Sequence, residues 1–259
     1  MRKQDWTAVV VELVVVVLGV FIGLQASNWN AEQADSRLGR DYVARLTHDL
    51  EDNLASVQSE IAYYGDVLNS VQQTDALLQA ADPDPRALVV NAYRATEIIY
   101  NAPQRATWDQ IVSSGHLDLL PAGAVESGLS QYYAFDTAQD IYRMGFDSAY
   151  RQTVRSIMPM RMQIAMRATC SDALDKMSAI SGFVEHCEFK ADPASLKDVA
   201  AALQNNQAVA ADLRYQYSFA VSAVGNLRAD KASLSKALAA LGAMPHTSGN
   251  DNVGKRPSP

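Results

Sequence analysis

Residues 8–24 are apolar or glycine at every position except Glu12, and the pattern turns polar at Gln25. Read as a helix, residues 8–26 rise about 28 Å, close to the ~30 Å hydrocarbon core of a bilayer. Trp6 and Trp29 bracket the run about 34 Å apart, which suits one indole at each headgroup layer. Arg2 and Lys3 precede the run, whereas Glu32 and Asp35 follow it more closely than Arg37 and Arg40. This asymmetry predicts a cytoplasmic N-terminus and an external bulk. A cleaved signal peptide is the alternative, because residues 13–24 also have the length of a signal core. The missing small-x-small cleavage site and Glu12 favour an uncleaved anchor, and both readings export the rest.

A second pattern begins at Val43. Val43, Leu50, Val57, Tyr64, Val71 and Leu78 recur every seven residues, with Leu46, Leu54, Ile61 and Leu68 broadening the stripe. It predicts a long amphipathic helix of coiled-coil-like spacing, continuing the membrane helix either unbroken or bent near Gly39. Asp82-Pro83-Asp84-Pro85 should stop it, since the residue before each proline is pushed out of the helical region. Residues 86–100 read as a second helix ending at Asn101-Ala102-Pro103. Thr107 is placed to cap a short helix from Trp108, and Gly115 to close it in a left-handed conformation. Pro121 then opens a helix whose aromatic stripe, Tyr132, Phe135, Tyr142, Phe146 and Tyr150, reads as a core face, with Pro159 bending or ending it. Residues 170–187 read as a connection of some helical character. Asp192 and Pro193 start another helix, and 209–241 is a long final one. The polar residues 243–259 read as a disordered tail. The expected fold is all-α: one N-terminal transmembrane helix, 8–26, after a short cytoplasmic end, 1–7, continuing into an antiparallel bundle of long helices, 27–242.

Composition adds compartment and partners. Two cysteines, Cys170 and Cys187, in an exported chain predict a disulfide; the rival is a metal site using Cys170, His186 and Cys187, whose spacing matches no zinc pattern. A formal net charge of −7 gives no reason to expect nucleic acid as a partner. Charge is unevenly spread, however. Residues 46–85 hold eight acids and no Lys or Arg, whereas residues 141–169 hold Arg143, Arg151, Arg155, Arg161 and Arg167 against Asp147 alone. Beside two solvated faces, this allows either pairing between the acidic and aromatic helices or an anionic ligand or lipid headgroup at the arginines.

Catalytic signatures are missing. There is no G-x-S-x-G, phosphate loop, H-E-x-x-H or dinucleotide fingerprint. Ser114 and His116 lack an orienting acid. Met158, Met160, Met162 and Met166 could offer thioethers to copper, but they equally fill core gaps beside a proline. No cofactor or metal is expected. In the membrane segment, Glu12, Val16, Gly19, Gly23 and Ala26 fall on one stripe, and Gly19 with Gly23 forms a G-x-x-x-G pair that suits helix association.

Gly19-Val20-Phe21-Ile22-Gly23-Leu24-Gln25 followed by Asn28-Trp29-Asn30 resembles the membrane edge of a bacterial family of single-pass membrane proteins, a domain of unknown function. The resemblance continues through Tyr42-Val43-Ala44-Arg45-Leu46 with Asp49-Leu50, through residues 107–115 with Leu117 and Leu120, and through Tyr132-Tyr133. It implies an inner-membrane anchor with an external helical domain and brings no catalytic or binding residues. The expected function is a non-enzymatic envelope scaffold or interaction subunit, partnered by the lipid bilayer and by a second copy or another membrane protein. A ligand-sensing bundle that signals through a partner is the alternative, because the stretch before residue 8 is too short to hold an output domain.

Overall fold

The computed structural model describes residues 6–170, 172–174, 180–185 and 187–242. The polar tail lies outside the described residues, as do residues 1–5 and His186 of the rival metal site. The fold is all-α, built on two long helices, α1 (Trp6–Gln79) and α10 (Gln207–Gly242), with shorter helices α2–α9 between them. Most of the intervening helices are short, so the long helices of the expected bundle are this pair.

α1 is one unbroken helix of 74 residues, in keeping with the absence of proline before Pro83. Residues 9–37 are exposed throughout, and the helix first meets the rest of the protein at Leu38 and Gly39. Gly39 permits that close approach: a Cβ there would lie 3.1 Å from the Leu119 carbonyl oxygen. Beyond it α10 runs antiparallel to α1. Tyr64 meets Phe219 edge to face at 6.2 Å, Val71 and Leu213 border one groove, and Val57 and Leu227 another nearer the exposed N-terminal arm of α1.

Of the seven-residue series, Leu50, Val57, Tyr64 and Val71 are buried, whereas Val43 and Leu78 at its ends are half-buried. A second buried series interleaves with it: Leu46, Asn53, Glu60, Val67 and Thr74. Its polar members explain why the second helix is shorter than expected. α2 (Pro85–Arg94), capped by the Asp84 side chain on the Arg86 N–H, stops at Arg94, and the chain then descends along α1 in extended form. Tyr64 donates to the Ile99 carbonyl at 3.1 Å and Glu60 accepts from the Asn101 N–H at 2.9 Å. Asn53 accepts from the Gln104 N–H at 2.6 Å and donates to its carbonyl at 2.8 Å. Buried backbone groups must be paired, and here side chains of α1 replace the helical partners.

Thr107 does not cap α3 (Ala106–Ser113): Arg105 occupies the cap position without a side-chain bond, and the Thr107 N–H donates to Asp49 of α1. Gly115 closes the helix at φ +75°, with the His116 N–H reaching back to the Ile111 carbonyl. The single aromatic helix expected after Pro121 is broken into pieces. Beyond a 3₁₀ turn (Leu117–Leu119), α4 (Ala122–Ala124) passes through a π-helical turn (Val125–Leu129), kinked at Gly128, into α5 (Ser130–Ala134). α6 (Thr137–Phe146) and α7 (Ala149–Ile157) start afresh on caps from Asp136 and Ser148. The aromatic stripe therefore faces several ways: Tyr150 is fully buried, Tyr132 and Tyr142 are half-buried, and Phe135 and Phe146 are exposed. Pro159 separates α7 from α8 (Met160–Thr169).

The connection between the cysteines is an antiparallel hairpin, β1 (Asp172–Leu174) with β2 (Ile180–Phe183), rather than helical. α1 tethers it, since Ser59 donates to the Ile180 carbonyl and Tyr63 to Asp172 at 3.0 Å. Phe183 packs edge-on against Tyr63 at 5.0 Å. α9 (Pro193–Asn205) starts on the Asp192 cap as read, and the core divides into a lobe near the arm and a distal lobe around Tyr93, Tyr150 and Met166.

Candidate functional site

The densest polar arrangement lies where α7 and α8 meet the turn after α2. α2 presents Tyr93 on its buried face, and the turn that follows places Thr96 and Glu97 against the arginines one helical turn apart on α7. Arg155 lies over the Tyr93 ring, 3.6 Å from its centroid, donates from Nε to Thr96 Oγ1 at 2.8 Å, and from Nη2 to Glu97 Oε1 at 3.0 Å. Arg167 of α8 approaches the other Glu97 oxygen at 3.3 Å. Arg151 donates to the Thr96 carbonyl and lies over Phe146. One carboxylate with only 8 % of its side chain exposed thus faces three guanidinium groups.

Such a cluster is not neutral. Burial, and then the charge of Arg155, lowers the pKa of Arg151, while Glu97 above all raises that of Arg167. The three arginines and Glu97 line an open cleft of about 470 Å³ whose other wall is apolar. Guanidinium forks are suited to bidentate binding of carboxylate or phosphate, so the chemistry this surface offers is anion binding.

Three of the five arginines of the basic run meet here, and two do not. Arg143 is exposed beside Asp140 at 4.0 Å, and Arg161 is exposed outside the cleft. The pairing partner also differs from expectation. α7 packs mainly on α2, α9 and α10 and meets α1 through Tyr150 beside Thr74, so Glu97, outside the acidic stretch of α1, takes the charge. Glu97 was hidden from sequence reading because residues 86–100 read as one helix, on which it is an ordinary surface acid; the sequence signal is a lone glutamate directly after the Tyr93 to Thr96 turn.

The remaining candidates fall elsewhere. Glu12, Gly19 and Gly23 lie on the exposed arm of α1, with open space around both glycines. Cys170 and Cys187 are joined by a disulfide, with Cys170 buried at the end of α8. Tyr42 bridges Ser114 and His116, its hydroxyl 3.3 Å from Ser114 Oγ and 3.2 Å from His116 Nδ1, with no carboxylate in the group. Met158, Met162 and Met166 are core residues, whereas Met160 is exposed. Among the described residues no group of three His, Cys, Asp or Glu is arranged to hold a metal ion.

A second feature that sequence reading missed is Glu60, a buried carboxyl in mid-helix. Burial pushes its pKa up to about 7, helped by the charge of Asp136 and opposed by the Asn101 N–H. Burial raises Asp230 close by as well.

No family model, curated protein or solved structure matches the chain. Within the described residues, the one helix long and apolar enough to cross a membrane is α1, through its N-terminal part.

Proposed function

We propose that this chain is a membrane-anchored helical scaffold or interaction subunit of the bacterial cell envelope, non-enzymatic, with residues 8–26 crossing the inner membrane and the domain of residues 27–242 in the periplasm. The observation that carries this reading is the naked arm of α1. Its apolar side chains from Val9 to Leu24 are about half exposed or more, and among the described residues none covers them. A contiguous apolar surface of this size on a protein in water is an association or membrane surface, and its length matches a bilayer. The Trp6 and Trp29 brackets and the likeness of the membrane-edge motif to single-pass envelope proteins support the same placement. Its partners are the lipid bilayer and a second copy or another membrane protein, drawn together in part through Glu12, Gly19 and Gly23.

Alkaline phosphatase fused after Leu241 tests the topology. The fusion should be active, and the intact chain should stay with membranes through an alkaline carbonate wash. An inactive fusion, or a released fragment beginning near Ser27, overturns the anchored periplasmic placement. The arginine cleft favours a second reading, a ligand-sensing domain that signals through a partner membrane protein.

A further inference from the structure

We propose that the cleft between α2, α7 and α8 binds a small amphipathic anion, an anionic head with one or two charges on an apolar body, delivered from solution rather than from the bilayer in which the chain sits. This deepens the sensing reading and takes its membrane geometry from the anchor reading.

Three observations converge. First, charge is left over. Arg151, Arg155 and Arg167 gather around the Glu97 carboxylate, with Asp172 acting on Arg167 more weakly, and Arg167 keeps 58 % of its side chain exposed, so its fork is open to a second acceptor. Such a cluster attracts an anion, and its excess of positive charge suits a phosphate monoester or a carboxylate with a neighbouring acceptor. Second, the guanidiniums are held in place beforehand. Arg155 is fixed by Tyr93, Thr96 and Glu97 together, so little freedom remains to be lost on binding. Third, the opposite wall is apolar and uncovered: Phe146, Met160 and Ile164 are each more than half exposed. A bare anion would leave them in water, whereas an apolar body would cover them.

Distance selects the source. Ile99, two residues from Glu97, accepts a hydrogen bond from Tyr64 of α1 at 3.1 Å, which sets the cleft at the level of Tyr63 and Tyr64. Tyr63 is about 50 Å along the helix from Trp29. A lipid headgroup held in the anchoring bilayer cannot reach it, even with α1 tilted by 40° from the bilayer normal.

Calorimetric titration of the full chain in nanodiscs tests this, with octyl phosphate as probe and octanoate, inorganic phosphate and octylammonium as comparisons. Octyl phosphate should bind saturably, at least tenfold more tightly than inorganic phosphate, octanoate should bind more weakly than octyl phosphate, and octylammonium should give no binding. Arg167→Gln and Ile164→Ser, both at exposed positions, should each weaken octyl phosphate at least fivefold while the protein keeps its folded circular dichroism spectrum. No binding of octyl phosphate, binding equal to that of octylammonium, or binding unaltered in both variants overturns the proposal. Inorganic phosphate binding as tightly as octyl phosphate overturns the role of the apolar wall. Carbonate extraction of the same preparation reports on the anchor separately, so failure of one is distinguishable from failure of the other.

Discussion

Glu60 is the residue at which burial and hydrogen bonding pull hardest against each other. Its carboxyl titrates near 4.5 in an open chain and near 7 in the fold, because burial outweighs the Asn101 N–H that accompanies it. Between those two values the folded protein keeps a proton that the unfolded chain has released. Stability from this group is therefore complete below about pH 4.5, falls as pH rises, and by pH 8 is lower by about 3 kcal/mol. Replacing Glu60 with Gln keeps an acceptor for the Asn101 N–H and removes the titration. In urea unfolding, Glu60→Gln should be more stable than the parent at pH 8 by about 1–3 kcal/mol, with the gap closing toward pH 4.5. A gap independent of pH would contradict this assignment. Asp230, raised by its own burial, adds to the upward shift of Glu60 through its charge, and that repulsion also disappears in the Gln variant.

At the scale of elements, what could be read along the chain was whatever repeats with apolar residues. The series from Val43 to Leu78 located α1, and the aspartates and prolines around 82–85 and at 192–193 located its end and the start of α9, because caps and prolines act locally. The interleaved series escaped because Asn53, Glu60 and Thr74 are polar, and their burial makes sense only once an extended strand of backbone lies against them. The aromatic stripe misled for the opposite reason. Its spacing is helical, yet the Asp136 and Ser148 caps break the run, and local capping decides where helices restart even when periodicity continues. Half of the arginine cleft was legible as a run of positive charge; its carboxylate was not, since Glu97 is 58 residues from Arg155 and 70 from Arg167. The hairpin between the cysteines depends on contacts with Ser59 and Tyr63 that no local pattern encodes. The Cys170 to Cys187 bridge, which closes the segment containing this hairpin across a separation of 17 residues, should stabilise the domain by about 3 kcal/mol through the unfolded chain. Mass spectrometry of non-reduced peptides from envelope-purified protein should recover the linked pair, and reduction should lower the melting temperature. Two freely alkylated thiols in that preparation would exclude the bridge.

The whole molecule is an arm and a body joined by one continuous helix, and the two have nothing in common except that helix. Among the described residues, 9–37 are exposed throughout, and an added side chain at Gly19 or Gly23 meets no atom within 4 Å. Any effect of enlarging those glycines must therefore come from another molecule, which makes them a clean probe of association. Glu12 shares their stripe, and a carboxyl inside a membrane span is expensive against lipid, so in the proposed dimer a second copy covering this face would hide it while letting the backbones approach at the glycines. Sites this far apart with no shared contacts contribute independently. Gly19→Ile with Gly23→Ile in the full chain should accordingly weaken dimer crosslinking in membranes or mild detergent severalfold and leave the melting temperature of the domain unchanged. Leu18→Ile with Ile22→Leu, on another face, should alter neither, while Glu60→Gln should shift melting without touching crosslinking. Equal crosslinking by both membrane-helix pairs would falsify the glycine face as the interface. A melting shift from the glycine pair would instead show that the arm and the body are coupled through α1, against the independence that their lack of contact dictates.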